Sequence, residues 1–280
     1  MGLENFTPEL WAKSYLDNLY KNLVFGSLVN RDYEGDISGF GSSVRISEYG
    51  DVTINSYTKA ATLSYQAPNS AQKILYIDQA KYFAITVDDI DNAQNNPKAL
   101  PGLTKKAGYA MADTMDQFIA SLYASAGTTI TAASVSAGNV LVNVSDFALA
   151  LDEANVGREG RWLVVPPWYH QKLWQAATGA IAYNATSKVF DDGLLRNGYV
   201  GTLNGFDIFV SMNLYESTAK SVSYVMGGTR EAISFASQLD KIEPIKRETT
   251  FDTAIRGLQL YGAKVVQPGA LAYCVCTKTA

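Results

Sequence analysis

Residues 61–91, "ATLSYQAPNSAQKILYIDQAKYFAITVDDID", read as two extended runs flanking a polar tip, and they decide the fold. Phe83, Ile85 and Val87 alternate with Tyr82, Ala84, Thr86 and Asp88, the period of a strand with one buried face. Val52 and Ile54 repeat that alternation at the far end. Between them, from Asn55 to Lys81, the pattern dilutes into Ser, Thr, Gln, Lys and Asn with scattered Leu63, Tyr65, Ile74, Tyr76 and Ile77. The base of this ribbon is expected to be anchored and its outer part is not. If residues 52–65 pair with 73–87 across "QAPNSA", each strand runs about 45 Å, comparable with the diameter of a compact globule of this length. A two-stranded ribbon is at best marginally stable alone, so support from outside is expected, such as another copy of the chain. Two ordinary surface strands of a β-rich domain are the alternative.

The chain has 280 residues, 47% hydrophobic and 18% charged, enough to bury one large core or two lobes. A net charge of −4 argues against a nucleic-acid groove, whose affinity comes mostly from cations on phosphates, so any DNA contact should be weak. The start "MGLENFTPEL" lacks a basic region followed by an apolar run, and no stretch is long enough to span a bilayer, so no membrane partner and synthesis in the cytoplasm are expected. Cys274 and Cys276, in "YCVC", share one side of a strand, and a disulfide between residues so close in an extended chain would be strained. Two reduced, buried, structural thiols are expected.

No catalytic, cofactor-binding or metal-ligating set stands out. There is no Gly-X-Ser-X-Gly elbow, phosphate loop or dinucleotide fingerprint; "GFGSSV" at 39–44 lacks the third glycine. "VDDIDNAQNN" resembles a calcium loop only at Asp89 and Asp91, since Ala93 stands at the next ligand position. His170, the single histidine, follows the apolar run "WLVV" in "VVPPWYHQKLW", where α/β enzymes place catalytic groups, and could act as a general base. No partner is visible beside it. Pro166 and Pro167 suit a helix start, with Trp168, Leu173 and Trp174 as its apolar face.

"TPEL" opens a helix, with Thr7 as N-cap and Pro8 at the first helical position, and Leu16, Leu19, Tyr20, Leu23 and Val24 recur at helical spacing. The glycine-rich "RDYEGDISGFGSSVRI" links it to the body. A second helix is expected over residues 101–126, about 38 Å long, with Leu103, Ala107, Met111, Met115, Phe118 and Leu122 on one stripe and Lys106, Asp113 and Asp116 largely off it. Helices and strands then alternate over 145–240 as an α/β lobe. The tail "GLQLYGAKVVQPGALAYCV" reads as two strands about a type II turn at Pro268 and Gly269, returning to a sheet beside the long helix.

Arm helix, link, ribbon, long helix, lobe and closing strands, in that order, resemble the major capsid proteins of tailed bacteriophages with the Hong Kong 97-like α+β fold. "GSSVRI", "ITVDDIDNAQ", "RWLVVPPWYHQKL" and "RGLQLYGAKVVQPGAL" carry the likeness. It implies an N-terminal arm and link over residues 1–47 and an extended loop over 48–89 lying on a neighbouring subunit. It also implies a peripheral domain with a spine helix over 90–145 and 241–280, and an axial domain over 146–240. The implied function is a coat protein that self-assembles as pentamers and hexamers into an icosahedral shell around double-stranded DNA in the virion, without enzymatic activity. A portal and a separate scaffolding protein are the further implied partners. An encapsulin-like nanocompartment shell and a soluble α/β enzyme using His170 are the competing readings.

Overall fold

"RWLVV" forms a strand whose five residues, Arg161–Val165, are all buried. Such a run is what a strand covered on both faces requires. In the computed structural model, which describes residues 23–34, 41, 43–49, 53–59, 62, 65–66, 70–88, 99–181, 199–217, 221–246 and 252–278, this strand lies inside a six-stranded sheet. The expected helix from Thr7 and the acidic run beyond Asp88 fall outside those residues. The sheet order is β4 (Thr128–Val135), β11 (Leu271–Lys278), β8 (Val222–Thr229), β5 (Arg161–Val165), β7 (Phe206–Val210) and β6 (Tyr199–Leu203). Strand β11 runs parallel to β4 and antiparallel to β8, and β5 runs parallel to β7. Asn204 and Gly205 close the β6–β7 hairpin with φ of 51° and 82°, the left-handed pair that a tight two-residue turn demands.

Alternation along β5 sends side chains to two cores. Leu163 and Val165 join Phe147, Leu151, Tyr169 and Leu173 beneath helices α3 (Val140–Glu153) and α4 (Pro167–Ile181). Trp162 and Val164 face the other way, into a core shared with Phe25, Met115, Ile119, Phe235 and Tyr261. Helix α2 (Ala99–Ala120) delivers Met111, Met115 and Ile119 to that second core and continues as a 3-10 turn over Ser121–Ser125. Leu103, Ala107, Phe118 and Leu122, the rest of the expected stripe, are partly buried. A short helix, α1 (Phe25–Leu28), precedes it.

A three-stranded sheet is built from β3 (Gln79–Asp88), β10 (Asp252–Val265) and β9 (Ile233–Lys246), with β10 in the centre. A two-stranded ribbon pairs β1 (Ser43–Tyr49) with β2 (Ser70–Tyr76). The strand pairing expected at 52–65 with 73–87 is therefore corrected. Residues 70–76 pair with 43–49, and 79–88 pair with 252–261. Phe83 explains the second change: it lies opposite Gly257, where a Cβ would come within 2.3 Å of its ring, so the bare glycine seats the aromatic against the core. The described residues 53–59, 62 and 65–66 are exposed instead.

The closing strands are also corrected. β10 and β11 separate into different sheets, and β11, expected beside the long helix, lies between β4 and β8. The turn between them is a 3-10 turn, Pro268–Ala270, closed by Ala270 N–H donating to Gln267 O at 3.1 Å. Gly269 does not take the positive φ that a type II turn needs.

Candidate functional site

The ribbon has a keyed root and an exposed outer part. At the root Val44 and Ile46 of β1 face Leu75 and Ile77, and all four are buried on Ala236, Leu260 and Val266. Lys73 Nζ donates to Val266 O at 2.5 Å and Lys264 Nζ donates to Ile74 O at 2.9 Å, reciprocal ties between ribbon and body. Gly262 lets the ribbon cross β10 closely: a Cβ there would lie 2.1 Å from the Tyr76 carbonyl oxygen. Ile77, expected among the loosely held residues, is instead fully buried, because it follows Leu75 onto the same face of the chain where it crosses β10. Ile54, expected at the anchored base, is 90% exposed, because it lies beyond the end of β1.

Residues 53–59 are all exposed, and Thr53 N–H donates to the Gln66 side-chain oxygen at 2.9 Å. Ile54, Tyr57 and Tyr65, between β1 and β2, and Tyr76 on β2 are exposed large apolar side chains; Tyr82 on β3 is exposed too, as are Tyr109, Leu141, Val142, Leu149, Trp174, Met212 and Tyr215 elsewhere on the body. Single exposed apolar residues are ordinary, whereas three within one short stretch, Ile54, Tyr57 and Tyr65, offer a contact surface.

His170 sits near the start of α4, and burial lowers its pKa from the ordinary value. Among the described residues no group of three or more His, Cys, Asp or Glu could hold a metal. Cys274 and Cys276 are free and fully buried on β11. Asn143 binds both: its Nδ2 donates to Cys274 Sγ at 3.4 Å, and its Oδ1 accepts from Tyr169 Oη at 2.8 Å and Cys276 Sγ at 3.8 Å. Arg161, 2% exposed, donates to Asp152 and to the carbonyls of Val156 and Gly157, fixing the loop after α3. Hydrogen bonds from Arg158 and Arg161 hold the Asp152 carboxyl below its usual range.

Sequence reasoning missed Asp116. Expected off the apolar stripe, it is fully buried, and its carboxylate accepts the Val24 N–H (2.7 Å) and the Gly26 N–H (3.2 Å). A signal was present: Ala112 and Ala120, at i−4 and i+4, are fully buried too, and small residues at that spacing mark a second face closely approached by other chain.

An α+β body with a two-stranded ribbon, and with Ile54, Tyr57 and Tyr65 exposed between its strands, offers apolar surface for contacts beyond its own chain. The family model described as phage capsid protein matches residues 72–274, and the chain belongs to that family. It is a structural protein of a bacteriophage icosahedral shell. A solved structure from Mycobacterium phage Che8 is 28% identical, with 90% of each chain covered and a TM-score of 0.70. The capsid structure of the cyanophage P-SCSP1u is 18% identical, covering 90% of this chain and 86% of that one, at a TM-score of 0.70. A virus-like particle from Pyrococcus furiosus is 14% identical over 95% of this chain and 98% of that one, at 0.62. The last two likenesses show the fold alone. No curated protein matches the chain.

Proposed function

We propose that this chain is a major capsid protein that assembles as pentamers and hexamers around double-stranded phage DNA, with the ribbon as the arm reaching the adjacent copy. The observation that carries this reading is the set of exposed side chains Ile54, Tyr57 and Tyr65 on a ribbon whose root is buried and tied to the body. Docking on a neighbour removes that apolar surface from water and supports the two strands from outside.

In this reading residues 1–47 form the N-terminal arm and link, 48–89 the extended loop, 90–145 and 241–280 the peripheral domain with α2 as its spine helix, and 146–240 the axial domain. Because β4 and β11 hydrogen-bond into the lobe sheet, the boundary between the last two follows a shared core rather than a linker. A separate scaffolding protein and a portal are the assembly partners. The net charge of −4 supports weak, nonspecific contact with packaged DNA, since a wall that gripped phosphates would impede packing and ejection. The chain is made in the host cytoplasm and has no catalytic role, His170 being a helix residue of the lobe.

Nuclease treatment of native particles tests the reading. Protected double-stranded DNA is expected, whereas a co-purifying enzyme without nucleic acid would transfer the shell to a nanocompartment.

A further inference from the structure

Asp116 is a carboxylate with 0% exposure in the body of α2. Its oxygens take the backbone N–H groups of Val24 and Gly26, 92 and 90 residues away in sequence. Among the described residues no cation pairs with it. Arg31 is bound to Glu34, Arg230 to Asp32 and Arg161 to Asp152, and Lys105 and Lys106 lie on the exposed side of α2. Asp113, one turn earlier, accepts from Asn213 Nδ2 at 3.0 Å, and its like charge acts on Asp116.

The held segment is a strap. Leu23, Phe25 and Val29 are buried, and Phe25 meets Trp162 edge-on at 6.2 Å. The strap's far end joins β9: Asn30 N–H donates to Ile233 O at 2.9 Å, and Phe235 N–H donates to Asn30 O at 2.8 Å. Of these fastenings only the carboxylate titrates.

We propose that Asp116 is a protonation-dependent latch on the root of the N-terminal segment, holding residues 23–30 on α2 while its carboxyl carries a proton and loosening them when it ionises. A buried carboxylate without a cation disfavours its charged form. Burial raises its pKa to about 7, the bonds from Val24 and Gly26 pull it down, and Asp113 pushes it up. With the strap released the group meets water and returns toward its ordinary value. The docked state therefore holds the proton more tightly, and docking weakens as pH rises toward 7, then levels off. Between pH 5.5 and 8.5 the docking equilibrium falls about thirty-fold.

Hydrogen exchange of the full chain, read at the amides of residues 23–30 and corrected for intrinsic rates, tests this. Protection in the native protein should fall about thirty-fold from pH 5.5 to 8.5, most of the fall lying below pH 7 and the profile levelling off above it. Asp116→Asn, uncharged throughout, should lose the dependence, and Asp113→Asn, which removes the repulsion, should make the profile level off at a lower pH. A flat native profile, or a slope surviving in Asp116→Asn, overturns the proposal. Should Asp116→Asn fail to fold, an unshifted level-off point in Asp113→Asn overturns it instead.

Discussion

Replacing Ile54, Tyr57 and Tyr65 together by Ser should abolish shell formation while leaving the subunit folded. These residues are 90%, 68% and 91% exposed, so their truncation removes almost nothing from their own chain's core. Surface changes of this kind usually stay within about 0.5 kcal/mol each. On a neighbour, full burial of each side chain is worth about 1.5–3 kcal/mol. If only half of that is realised, the three still contribute roughly 2–4 kcal/mol per contact, a thirty-fold to thousand-fold change in each association constant at about 1.4 kcal/mol per decade. Repeated around a closed shell, such a loss prevents closure at ordinary protein concentrations. The companion variant Leu75→Ala acts oppositely: that side chain is 0% exposed at the ribbon root, and its loss should cost about 2–5 kcal/mol of subunit stability. Thermal melting by circular dichroism, with sedimentation and electron microscopy of the same samples, reads both effects. A triple variant that melts early, or one that forms closed shells at the native concentration, would refute the reasoning.

Gly262→Ala should lower stability by about 1–3 kcal/mol and reduce particle yield, since the added Cβ meets the Tyr76 backbone at 2.1 Å; a melting temperature equal to the parent's would remove the keyed crossing from the account. The thiols should be inert, because a hydrogen bond with Cys274 and burial push the Cys276 thiol far above its usual range; iodoacetamide labelling of native particles, or their dissociation by dithiothreitol, would count against it. His170→Gln should leave both folding and assembly intact, with an assembly defect in a normally folded variant as the contrary result.

The parts of the fold that were legible in the sequence are those set by local pattern. "RWLVV" read as a buried apolar run and is a strand, "PPWYHQKLW" read as a helix and is one, with Leu173 inside but Trp174, expected on the same apolar face, 52% exposed, and the Met111 and Met115 stripe marked the long helix. Two same-side buried thiols followed from the strand period alone. Strand partners were not legible, because pairing is chosen by the whole core: residues 79–88 pair with 252–261, about 170 positions away, once Gly257 makes room for Phe83. The same non-local choice buries Leu75 and Ile77, so the stretch from Asn55 to Lys81, read from its polarity as loosely held, contains part of the core; the exposed part lies further out, at 53–59 and 65–66. Asp116 escaped notice because a carboxylate reads as surface unless its partners are known, and its partners are backbone N–H groups; only the small Ala112 and Ala120 on the same face hinted at a close approach.

The central claim is that the ribbon joins one copy to the next. Electron cryomicroscopy of the assembled protein, with residues 53–66 traced into density, tests it most directly. The account predicts closed icosahedral shells in which Ile54, Tyr57 and Tyr65 are buried against the adjacent subunit. Shells in which those side chains face solvent would contradict it.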